Sequence, residues 1–107
     1  PWFRSWVLFD PAAALAKLSQ AVLIVHGALD RQVPAAHADR LESASRARKR
    51  SPVPSTRKAV IPGVNHLFVA ATTGEVGEYA VLPVKTISPA LASALTAWMQ
   101  DVLVAKK

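Results

Sequence analysis

Within an otherwise mixed pattern, Val22-Leu23-Ile24-Val25 is an apolar run with three β-branched members. Such a run, bounded by turn residues, reads as a strand covered on both faces, the mark of a parallel sheet between helices. Gly27 lets the backbone leave the sheet, and Asp30 follows. Lys58-Ala59-Val60-Ile61 is a second short strand, closed by Pro62-Gly63. Between the two strands, Ala35 to about Ala47 carries helix formers, with Ala38, Leu41 and Ala44-Ser45 on one side. Pro34 suits the start of that helix.

Helical signals also flank the strands. Trp2, Phe3, Trp6 and Phe9 recur at helical spacing, and Asp10-Pro11 reads as the cap and first residue of a short Ala-rich helix over Ala12 to Leu18. Core packing is the favoured role for the aromatics, with the wall or lid of a pocket as the sharper one. At the other end Ser88-Pro89 opens a helix reaching Val104, with Leu91, Leu95, Trp98, Met99 and Val102 as an apolar stripe. Thr72 to Val84 lacks such periodicity and reads as a long irregular segment. The order predicts an α/β class: a βαβ unit with adjacent parallel strands and helices on the sheet faces.

Composition adjusts this picture. At 107 residues there is room for at most one small domain. A hydrophobic fraction of 51% suggests apolar faces that expect a partner or more chain. No apolar run approaches the roughly 18 residues of a membrane span. The start, PWFRSW, lacks the charged-then-apolar order of a signal peptide. It also lacks an initiator Met and so reads as the start of a processed or truncated chain. With no cysteine there is no disulfide framework and no thiolate metal site.

The net charge is +6, and Arg40, Arg46, Arg48, Lys49, Arg50, Arg57 and Lys58 supply much of it. No aromatic interleaves with the RARKR run to stack bases, and no recognition motif accompanies it. A helix C-terminus with a solvated loop is therefore favoured over a nucleic-acid partner.

Two residues stand out chemically. Asp30 and His66 both lie just past strand ends, and adjacent parallel strands deliver their carboxyl ends to one rim, where open α/β sheets do their chemistry. An aspartate that orients a histidine is half of a Ser-His-Asp triad. An aspartate there also caps turns, and the residues alone leave both uses open. His26, inside the first strand, reads as a satisfied core residue, and His37, at a helix start, as solvent-facing.

The stretches HGALDRQVP and PGVNHLF, in this order, resemble the acid loop and the histidine loop of α/β-hydrolases. Trp2-Phe3-Arg4 and Asp10-Pro11 before the first strand, with Glu78-Tyr79 and Ser88-Pro89-Ala90-Leu91 after His66, are similar to the dienelactone-hydrolase-like and prolyl-oligopeptidase-like branch. The likeness covers nearly the whole chain. It implies the C-terminal βαβα portion of such a sheet: residues 1–20 as a lid or pocket-wall helical segment, and 21–107 as the acid- and histidine-bearing strands with the final helix. It implies Asp30 and His66 as catalytic residues, a small-molecule ester or peptide substrate, and neither cofactor nor metal. It also places the Thr72–Val84 segment near the site entrance.

None of the four glycines flanks a serine as G-x-S-x-G, so the nucleophile and the oxyanion hole are expected from an upstream segment. A homo-oligomer formed through the unpaired sheet edge is a further expected partner. The competing function is a non-catalytic α/β interaction module that uses the same edge.

Overall fold

The computed structural model describes residues 1–105. Its elements are α1 (Trp2–Leu8), α2 (Pro11–Ala16), β1 (Val22–Gly27), α3 (Ala35–Arg46), β2 (Thr56–Ile61), a 3-10 helix (Val76–Val81) and α4 (Pro89–Ala105). The two strands pair in parallel, in register from Val22 with Thr56 to Gly27 with Ile61. The fold is thus α/β, with the expected adjacent parallel strands. No helix among the described residues is long and apolar enough to cross a membrane.

Alternation along β2 ties the layers together. Lys58 reaches Asp39 and Glu42 on α3, whereas its neighbour Arg57 reaches Asp101 on α4, with Nη2 to Oδ2 at 2.6 Å. Successive strand residues face opposite sides, so these two cations identify the α3 face and the α4 face. By the same alternation Ile24 and His26 belong to the α3 face, and Val25 and Ala59 to the α4 face. One buried cluster lies on the α4 side, where Val25, Ala59, Phe68 and Ala94 pack against Ile61, Val64 and Leu91, while Ile24 and Ala38 are buried on the α3 side. The α4-side cluster sits directly below the rim that carries His66.

Helix starts follow the sequence closely. Asp10 Oδ1 accepts the backbone N–H of Ala12 at 3.0 Å and of Ala13 at 3.2 Å. Ser88 Oγ accepts the N–H of Ala90 at 3.2 Å. Both satisfy amides that a helix start leaves open. Only one side of the expected α4 stripe is realised. Leu91, Ala94, Trp98 and Val102 face inward, while Leu95 and Met99 are exposed, because a two-stranded sheet offers too narrow a surface for the full stripe.

Two expectations are corrected. The aromatics of α1 are not core: no residue of α1 is buried, and Trp2 and Trp6 are 78% and 72% exposed. Their ring contacts are with one another, Trp2 to Phe3 at 5.9 Å and Phe3 to Trp6 at 6.5 Å between centroids. Nor is the basic run simply solvated. Arg48 is 3% exposed and donates to four carbonyls, those of Leu18, Gln20, Ser45 and Pro54, at 2.7–3.1 Å. Arg50 adds the carbonyls of Lys17 and Leu18. These guanidinium groups lock the entry to β1 against the exit of α3, and a planar five-donor fork suits that task.

Replacing Arg48 with Met should therefore strand several carbonyls without a donor and cost about 3 kcal/mol or more in urea-induced unfolding. Lys49→Met, one residue away and exposed, should stay within about 0.5 kcal/mol of the parent chain. Equal, small effects would show that Arg48 is not the anchor of this junction.

Candidate active site

The rim is built by extending the parallel pairing past both strands. Ala28 N–H donates to Ile61 O at 2.8 Å and Leu29 N–H to Val64 O at 2.8 Å, and a turn closes from Asp30 N–H to Gly27 O at 3.0 Å. The loop after β1 is thereby hung on the loop after β2. Gly27 makes this possible in a way the sequence did not reveal. Its φ is not in the left-handed region; instead a Cβ there would collide with the carbonyl oxygens of Val64 and Asn65. The residue is small because two backbones touch, not because the chain must turn.

Asp30 divides its carboxylate between two tasks. Oδ1 accepts the N–H of Gln32 at 2.8 Å and of Val33 at 2.9 Å, which caps the turn. Oδ2 meets His66 Nδ1 at 2.8 Å. Capping and orienting a histidine, alternatives on sequence grounds, coexist on different oxygens. The Asp30 side chain is 6% exposed, against 37% for His66. Burial pushes the Asp30 carboxyl up, but the hydrogen bond with His66 and those from Val33 and Gln32 together outweigh it and hold the group below its ordinary 3.8. Asp30 is thus an anion at neutral pH, so Nδ1 of His66 carries the proton and donates. In the neutral imidazole Nε2 is left with a free lone pair.

The histidine loop is held from inside by Asn65, which is fully buried. Its Oδ1 accepts the N–H of Leu67 at 2.9 Å and of Val69 at 3.2 Å, and its own N–H donates to Val69 O at 3.0 Å. Phe68 completes the turn at φ +59°, donating its N–H to Asn65 O and accepting the N–H of Ser88. His66 is therefore presented by a rigid turn.

A third segment clamps the acid loop. Glu78 accepts the backbone N–H groups of Thr72, Thr73 and Gly74, and its carboxyl sits below the ordinary range because these bonds outweigh burial. Gly74, at φ +82°, lies so close to the Leu29 backbone that a Cβ has no room. Gln32 donates to the Tyr79 hydroxyl and Arg31 to Thr73 O. By its sequence this stretch is irregular. A carboxylate four to six residues beyond a Thr-Thr-Gly turn was its one local signal.

The remaining candidates separate. His37 is exposed, as expected. His26 is buried, yet its side chain has no hydrogen-bond partner among the described residues, so it is not the satisfied core histidine the sequence suggested. No serine among the described residues hydrogen-bonds His66, and none of their His, Asp and Glu side chains group in threes to hold a metal ion. No family model, curated protein or solved structure matches the chain.

The lowered carboxyl of Asp30 has a signed consequence. A group depressed in the folded state contributes stability that is complete above its unfolded value, 3.8, and is lost as pH falls through the lower folded value. Asp30→Asn should cost about 1–3 kcal/mol at neutral pH in urea denaturation. The gap to the parent chain should narrow below the ordinary value, and a gap unchanged near pH 3 would contradict the assignment.

Proposed function

We propose that this chain supplies the acid and the base of a Ser-His-Asp hydrolase of ester or amide bonds. In this reading it is the C-terminal βαβα portion of an α/β-hydrolase sheet, and the nucleophilic serine comes from polypeptide outside these residues. The observation that carries the reading is the 2.8 Å contact between Asp30 Oδ2 and His66 Nδ1 across the ends of two adjacent parallel strands. The acid follows the first strand and the histidine the second, the order the resemblance implies. An enclosed carboxylate beside a partly exposed imidazole also suits the division of labour in a triad.

The chemistry follows from the free lone pair on Nε2. His66 takes the proton of the serine hydroxyl as its oxygen attacks the substrate carbonyl carbon. Asp30 steadies the imidazolium and fixes the ring orientation. His66 then gives that proton to the departing alcohol or amine as the C–O or C–N bond breaks. Water, deprotonated by the same nitrogen, releases the acid and regenerates the serine. Asp30 remains a carboxylate throughout.

One observation favours a second reading, an interaction module without catalysis. Val22, Leu23, Ile24 and Val25 all line one apolar groove beside Phe9, Leu15 and Leu18. Consecutive strand residues face opposite sides, so a groove touching all four opens along the unpaired edge of β1. A partner strand fits such an edge.

Activity separates the two readings. The isolated chain should hydrolyse p-nitrophenyl acetate no faster than free imidazole at equal concentration. Robust turnover abolished by replacing one of its own serines would overturn the assignment of the nucleophile. In a longer protein carrying G-x-S-x-G ahead of these residues, His66→Ala should lower kcat/KM by about four powers of ten or more. Asp30→Asn should cost about 10⁴, the serine-protease precedent for a wrong imidazole tautomer. An unchanged kcat/KM in the His66 variant leaves the interaction module.

A further inference from the structure

The chain neighbours of Asp30 are held on both sides of it by one segment. Gly74 lies so close to the Leu29 carbonyl that a Cβ would collide with it. Arg31 Nε donates to Thr73 O at 3.2 Å, and Gln32 Nε2 donates to the Tyr79 hydroxyl. We propose that Glu78, which folds this segment, is a positioning residue for the Asp30–His66 pair: its carboxylate sets where Asp30 Oδ2 stands against the imidazole.

Glu78 is the centre of the segment because nothing else closes the turn before it. Its two oxygens accept the N–H groups of Thr72, Thr73 and Gly74 at 3.1–3.2 Å. Among the described residues no backbone carbonyl accepts any of those three amides. With Gly74 at φ +82°, three consecutive N–H groups converge on one point. An anion at that point stabilises such a concavity through charge-assisted hydrogen bonds. Without the anion the three N–H dipoles face one another with nothing to accept them.

The acid loop lacks support of its own where this segment meets it. Past β1 the amides of Ala28, Leu29 and Asp30 are bound by Ile61 O, Val64 O and Gly27 O, and α3 takes over only at Ala35. In between, Arg31 and Gln32 are exposed, and among the described residues their hydrogen bonds to other segments run to Thr73 and Tyr79. Gln32 and Val33 in turn donate their N–H groups to Asp30 Oδ1 at 2.8 and 2.9 Å. The carboxylate is thus aimed by residues that the Glu78 turn tethers. A rotation that follows Oδ1 carries Oδ2 with it, and a hydrogen bond weakens steeply as its geometry departs from linear. Glu78 itself makes no hydrogen bond to His66, so its influence passes through Leu29, Arg31 and Gln32 to Asp30.

The test follows the His66 Nδ1–H proton by 1H–15N NMR in the 107-residue chain, its resonance assigned by its absence from a His66→Gln chain. The parent chain should show this proton as a resolved resonance protected from solvent exchange, and its absence there would overturn the proposal. Glu78→Ala should speed the exchange about tenfold or more, the effect of losing at least one hydrogen bond from the structure that must open. Glu78→Gln, which keeps one acceptor oxygen, should fall between. Tyr79→Phe, which leaves the turn whole and frees only Gln32, should give a smaller rise. Asp10→Ala removes the acceptor of two amides at the start of α2 and lies outside this chain of contacts. It should lower urea stability yet leave the His66 proton within about twofold of the parent rate. Equal acceleration by Asp10→Ala and Glu78→Ala would reduce Glu78 to a stabilising residue and overturn the proposal, as would an unchanged rate in a folded Glu78→Ala chain. Should Glu78→Ala fail to fold, unchanged rates in both Glu78→Gln and Tyr79→Phe overturn it instead. That this ordering serves bond hydrolysis rests on the hydrolase reading; the ordering itself does not. Unaltered exchange leaves the His66→Ala kinetics as they stand, and a His66→Ala enzyme of full activity leaves the exchange result as it stands.

Discussion

The rim of this protein depends on two backbones touching. Gly27 presses against the carbonyls of Val64 and Asn65 with no side chain between them. That approach lets Leu29 donate to Val64 O, which fixes the height of the acid loop over the histidine loop. A contact of 2.8 Å between side chains of residues 36 apart needs that level of control. A single methyl group at position 27 forces the loops apart, and no repacking of flexible side chains relieves it, because the atoms it meets are main chain.

Around this contact the fold uses its polar groups as fasteners more than its apolar groups as filler. The cluster on the α4 face is small, and much of the apolar surface of α1 and α4 is exposed. Arg48 joins four carbonyls from three segments, and Glu78 gathers three amides from one turn. Each net hydrogen bond contributes only about 0.5–1.5 kcal/mol, but each also closes a loop that the modest core does not reach. The surface ion pairs of Arg57 and Lys58 add little energy by comparison and serve to orient the helices.

The strands, the helices and the Asp30–His66 pair were legible because each is written in a short local code. β-branched runs give strands, Asp-Pro and Ser-Pro give helix starts, and parallel neighbours bring two strand ends together. What stayed hidden is tertiary. Arg48 sits in a run of like charges, and nothing nearby distinguishes it from Lys49 or Arg50 except the four carbonyls it meets in space. Gly27 looked like a turn glycine because close approach leaves no mark in a single sequence. The aromatics of α1 looked like core because composition reports what a side chain prefers, not whether a surface is there to receive it. His26 was misjudged in the same way, since its burial is visible in the strand pattern but its lack of a partner is not.

The clamp over the acid loop carries a consequence in the time domain. Its contacts join Gln32 to Tyr79 across 47 residues and Arg31 to Thr73 across 42, while α2 and α3 close over a few residues each. Closing long loops costs entropy before the contact returns any enthalpy, so local helices form early and distant pairings late. The rim is accordingly the last part of the chain to assemble. The pairing of β1 with β2 joins Val22 to Thr56, also distant in the chain, so the sheet too forms after the helices, and the edge of β1 stays open to a neighbouring strand both before and after the rim closes.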